Sequence, residues 1–118
     1  MTLKTIRLEL ARNPDFPEGS AAHGYDLKAP LDAAGHLDAD AWRTQRAECR
    51  VRRFWAGEGD RNGELIHTRQ GWAFSYEPGD ADDEAIYKLD RHLFRTGEYV
   101  TITEPDGDSH TFRIASVK

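Results

Sequence analysis

The chain of 118 residues has one cysteine, one methionine and no long apolar run. A lone Cys49 excludes an internal disulfide and a zinc-cysteine cluster, and it suits a reducing compartment. No uninterrupted apolar stretch exceeds three residues, far short of the roughly 20 that cross a bilayer as a helix, so no membrane association is expected. The opening Met1-Thr2-Leu3-Lys4-Thr5-Ile6-Arg7 carries charge where a secretory leader would be apolar, so the expectation is a cytoplasmic protein. Base is also scarce. With 16 Lys and Arg against 21 Asp and Glu, the net charge of -5 makes a general nucleic-acid or anionic-membrane binder unlike this chain.

Aliphatic residues are few as well. Leu, Ile, Val and Phe together number 22, a level at which disorder competes with folding. The 12 aromatic residues offset this, since each can bury roughly 150–250 Å². The expectation is one folded domain over residues 1–118.

The dominant apolar period is two, the mark of half-buried strands. Ile6, Leu8 and Leu10 alternate with Arg7 and Glu9, which predicts a strand over residues 3–11. Prolines and Gly19 then predict an irregular path of about a dozen residues. Tyr25, Leu27, Ala29 and Leu31 resume the alternation, with Pro30 limiting that strand to an edge or an end. An Asp cap at 38 or 40, followed by Trp42, Gln45 and Cys49 at helical spacing, predicts a short helix to about Glu48. Cys49, Val51, Arg53 and Trp55 then share one strand face, and Arg50, Arg52 and Phe54 the other. The Gly57 to Gly63 stretch, containing Asn62-Gly63, reads as hairpin turn chemistry before a strand from Glu64, and Gly71 as a bulge ahead of the aromatic stripe Trp72, Phe74 and Tyr76. Residues 77–84, acidic and broken by Pro and Gly, read as an exposed mobile loop. A last hairpin turns at Pro105-Asp106-Gly107-Asp108 and sets Val100 and Ile102 against Phe112 and Ile114. Six or seven short strands and one short helix predict a mainly β fold, or α+β with that one helix, as a small, strongly bent antiparallel sheet or partly open barrel.

Phe94-Arg95-Thr96-Gly97-Glu98-Tyr99-Val100-Thr101-Ile102 is similar to a strand of the flavin-binding reductase barrels. That family carries an Arg-x-Tyr-Ser phosphate pattern on the neighbouring strand. Here Thr111-Phe112-Arg113-Ile114-Ala115-Ser116 lacks the tyrosine, so the resemblance implies a hairpin strand and no flavin. Phe16-Pro17-Glu18-Gly19-Ser20, His23-Gly24-Tyr25, Gly97-Glu98-Tyr99-Val100 and His110-Thr111-Phe112 also resemble segments of small bacterial proteins without an assigned activity. That likeness carries no catalytic residues over.

No phosphate-binding Gly-rich loop, nucleophile elbow, His-Glu-x-x-His helix, dinucleotide fingerprint or calcium loop is present. Two groups remain. Residues 41–57 hold Arg43, Arg46, Arg50, Arg52 and Arg53 against Glu48, flanked by Trp42, Phe54 and Trp55, while residues 9–40 hold seven acids. Basic residues interleaved with rings suit single-stranded nucleic acid, because phosphates meet guanidinium groups and bases stack on rings. The acidic blocks on both sides put an acidic protein or a small anionic ligand ahead of it, with Arg50, Arg52, Trp55 and Trp72 as the candidate ligand-binding residues. The same arginines could instead pair with the acids, or lower the pKa of Cys49. The second group is His23, His92 and His110, at loop ends where three imidazoles could converge with Glu98 or Asp26 on zinc or another divalent metal. The expectation is a β-rich binding or accessory module for a protein or a small anionic ligand, without a cofactor. The alternative is a small metal-dependent enzyme using those histidines.

Overall fold

A computed structural model describes residues 3–69, 71–76, 84–86, 93–104 and 107–118. The strands are β1 (Leu3–Leu10), β2 (Ser20–Pro30), β3 (Arg50–Trp55), β4 (Arg61–Thr68), β5 (Gly71–Ser75), β6 (Glu84–Ile86), β7 (Tyr99–Thr103) and β8 (Ser109–Val117). Helix α1 (Ala39–Gln45) and a turn of 3-10 helix (Arg46–Glu48) lie between β2 and β3. Every pairing is antiparallel, and β1 pairs with β2 on one side and β8 on the other, so the curled sheet meets itself. The predicted mainly β class and strongly bent sheet are what the chain forms. Among the described residues, β6 joins β5 and β7 by two residue pairs each.

The interior follows the alternation. Ile6, Leu8, Leu10, Tyr25, Leu27, Val51, Leu65, Phe74, Val100, Ile102, Phe112 and Ile114 are all buried and belong to one continuous core. Tyr25 packs against both Phe74 and Phe112, with ring centroids 5.0 and 5.2 Å apart, so aromatic area fills the space that scarce aliphatics leave. Asp38 caps α1 by accepting from the Ala41 N–H at 3.0 Å. At two turns the helix holds only through tertiary contact. Trp42 supplies it, packing edge-on against Trp72 and donating from Nε1 to the Leu65 carbonyl at 2.9 Å.

Three local expectations need correction. Strand β2 begins at Ser20, ahead of the expected start near Tyr25, because the chain re-enters the sheet directly after Gly19, whose φ is 75°. The turn around Gly57 falls within the expected stretch, but β4 begins at Arg61 rather than Glu64, so Asn62 and Gly63 lie inside it, opposite Arg52 and Val51. Gly63 is needed for close approach: a Cβ there would strike the Ser75 carbonyl of β5. Gly71 opens a separate strand rather than bulging a continuous one, because Thr68 pairs with it across a tight turn. Pro30 stands at the end of β2, one of the two placements expected for it, and β2 is an inner strand that pairs with both β1 and β3. The acidic residues 77–83 lie outside the described residues, and Glu84 begins β6.

Candidate functional site

Antiparallel succession puts the 11–19 loop, the start of β2, the end of β3 and the β7–β8 turn at one end of the barrel, opposite α1. The loop is built from two turn devices. Asn13 Oδ1 accepts from the N–H groups of Asp15 and Phe16, both at 2.9 Å, and Asn13 and Phe16 also exchange backbone bonds. Gly19 then takes a left-handed conformation and donates to the Phe16 carbonyl at 2.9 Å. The Ala11 N–H donates to Thr111 of β8 at 3.0 Å, which fixes the loop's root to the barrel.

Two grooves flank this segment and share Leu10, Ala11 and Arg12. The larger, about 500 Å³, lies between the loop and the outer face of the sheet and includes Arg12, Arg113, Tyr99 and Ser20. Arg113 and Tyr99 face outward because Phe112, Ile114 and Val100, their neighbours in sequence, face inward. They are register partners across β7 and β8, and Glu9 is the partner of Arg113 on β1. Tyr99 is 50% exposed. Among the described residues neither Arg12 nor Arg113 has a carboxylate partner, whereas Glu9 is held by Arg7 at 2.9 Å. Glu18 also borders the groove and opposes negative charge there.

The smaller groove, about 340 Å³, presents Phe16, Trp55 and His110 beside Arg12. His23 packs against Phe16 and Trp55 with ring centroids 4.7 and 4.6 Å away, and Trp55 lies 5.8 Å from His110. Ser20 Oγ and His23 Nδ1 are 2.6 Å apart. Two of the three candidate metal ligands, His23 and His110, therefore border one indole, while His92 lies outside the described residues. Among the described residues no group of three or more His, Cys, Asp or Glu side chains is placed to hold a metal ion. Glu98 contacts β8 through its backbone, and Asp26 is engaged by arginines on the outer wall.

The candidate ligand residues Arg50, Arg52, Trp55 and Trp72 do not share one surface. Arg50 pairs with Glu64 at 3.2 Å, and Arg52 pairs with Asp26 and, at 2.9 Å, with Asp60. These two carboxylates hold the Arg52 guanidinium further into its charged form. Arg52 also covers the outward Phe54 from 5.3 Å, with Arg7 over the same ring at 4.4 Å. Arg53 is buried, lies 4.3 Å from the Trp55 ring and pairs with Glu58 and Glu104, each at 3.4 Å. Arg43 pairs with Asp40, and Arg46 lies over Trp42. Trp72 is buried and stacked on His67 at 4.2 Å, inside the core. Only Trp55 of the four reaches a groove. Cys49 is fully buried, and desolvation followed by the charge of Glu48 pushes its thiol up, the direction of an unreactive thiol.

Sequence reasoning missed Arg12, Arg113 and Tyr99. The usable signal was the last hairpin: once Val100, Phe112 and Ile114 are assigned inward, Tyr99 and Arg113 must point outward. Among the described residues, no helix is long and apolar enough to cross a membrane. Comparison of the chain with protein families, curated proteins and solved structures finds no match.

Proposed function

We propose that the protein is a binding module for a small anionic ligand, seated in the groove of Arg12, Arg113 and Tyr99. One observation carries this: the arginines of the 43–53 block are each engaged by carboxylates or rings, whereas Arg12 and Arg113 have no carboxylate partner among the described residues and line the larger groove. A guanidinium already paired must break its pair to take a ligand. A guanidinium without such a pair need not, and two that line one groove can each offer an anion forked hydrogen bonds. The outward Tyr99 adds an amphipathic wall.

Calorimetric titration with methyl phosphate is the test. Binding should weaken by about tenfold in Arg12→Ala and in Arg113→Ala, a loss of one charge-assisted contact. The Arg50→Ala/Arg52→Ala double variant should bind as the native protein does, and Glu18→Gln should bind more tightly. Absence of binding at millimolar methyl phosphate, or an equal loss in the Arg50/Arg52 variant, overturns the assignment.

A further inference from the structure

The two grooves adjoin along Leu10, Ala11 and Arg12, which line both. Arg12 thus borders each groove, with Arg113 in the larger one and the rings of Phe16, Trp55 and His110 in the smaller. Trp55 and His110 are half-buried, so part of each ring surface remains open to the groove. Phe16 is held there by the Asn13 turn rather than by the barrel core alone. We infer that the ligand is an aromatic anion: a planar ring carrying a phosphate or carboxylate, its acid group on Arg12 and Arg113 and its ring against Trp55, Phe16 and His110. This rests on the anion site proposed above and adds the chemical class of the ligand.

The physical grounds are complementary demands. A bare anion uses the arginines and leaves the aromatic groove wet. A bare ring would fill the aromatic groove but leave Arg12 unanswered at its edge. One molecule joining the two satisfies both, and the linkage makes the second contact intramolecular. The acids around the site set its limits. Asp15 borders the aromatic groove and Glu18 the cationic one, and Glu104 lies 3.7 Å from His110 Nε2, so a second negative charge on the ring side is repelled. The ring should therefore be neutral.

Four probes separate the possibilities: methyl phosphate, acetate, phenyl phosphate and benzoate. Phenyl phosphate should bind about tenfold more tightly than methyl phosphate, and benzoate than acetate, as expected for one stacked ring. Comparing the two pairs assigns the acid group as phosphate or carboxylate. The gain of phenyl phosphate over methyl phosphate should collapse in His110→Ala. Phe16→Ala should act likewise, and His110→Ala keeps the test open should the loss of Phe16 disturb the loop. Phenyl phosphate should also quench tryptophan fluorescence, a response lost in Trp55→Phe, and binding of either phenyl compound should fall in Arg12→Ala. If the ring compounds bind no more tightly than their ringless partners, or His110→Ala and Phe16→Ala both leave the gain intact, the aromatic half is overturned while the anion site stands. If none of the four binds, the anion site itself falls.

Discussion

The β3 arginines and the groove arginines differ in what stands opposite them. Along β3, Arg50, Arg52 and Arg53 form the densest positive run in the chain, yet each meets an acid brought by another strand or turn, Glu64 from β4, Asp26 from β2 and Glu104 at the barrel end, with Asp60 and Glu58 added from the nearby β3–β4 turn. Arg12 and Arg113 are isolated in sequence and lie 101 positions apart by their numbers, but closure of β1 on β8 brings both to one groove. Charge density along a chain does not predict available charge. Register decides it, because register chooses which carboxylate each guanidinium faces.

Both arrays hang on the same barrel wall, so the largest effect should come from the wall. Phe74 is fully buried on β5 and touches Tyr25. Phe74→Ala should cost roughly 3–5 kcal/mol, read from the urea midpoint, and should weaken both regions together. A midpoint unchanged by this substitution would remove the shared scaffold from the account.

A smaller effect should separate the two. Asp26 engages Arg7 and Arg52 from a partly exposed position, so Asp26→Ala should lower stability by roughly 1 kcal/mol, an effect that shrinks as salt screens the array. Arg113 carries no carboxylate among the described residues, so Arg113→Ala should stay within about 0.5 kcal/mol of the native protein. If the two substitutions cost the same at low salt, the division into engaged and uncommitted arginines is wrong.

How much of this was legible beforehand depends on range. Local alternation gave the inward faces of β1, β3, β5, β7 and β8, and the Asp38 cap gave the helix start, because these rest on neighbours within a few residues. Gly63 was misplaced in a turn because its need for glycine comes from the Ser75 carbonyl on the next strand, which no local pattern shows. The candidate ligand set failed to converge for the same reason. Trp72 alternates with Phe74, which already places it inward, and the choice between free and acid-paired Arg50 and Arg52 stays open along the chain because Glu64 and Asp26 become their neighbours only through strand pairing. The placement of His23 and His110 at one barrel end was foreseeable from their positions at strand beginnings; their contact with Trp55 was not.

The central claim is that available positive charge lies at Arg12 and Arg113 and not along β3. A two-dimensional NMR titration of backbone amides with methyl phosphate tests it most directly, since each amide reports its own surroundings. The account predicts saturable shifts confined to residues 10–21, Tyr99 and Arg113, with Val51, Arg52 and Arg53 unmoved. Saturable shifts centred on β3, with the groove amides still, would contradict it.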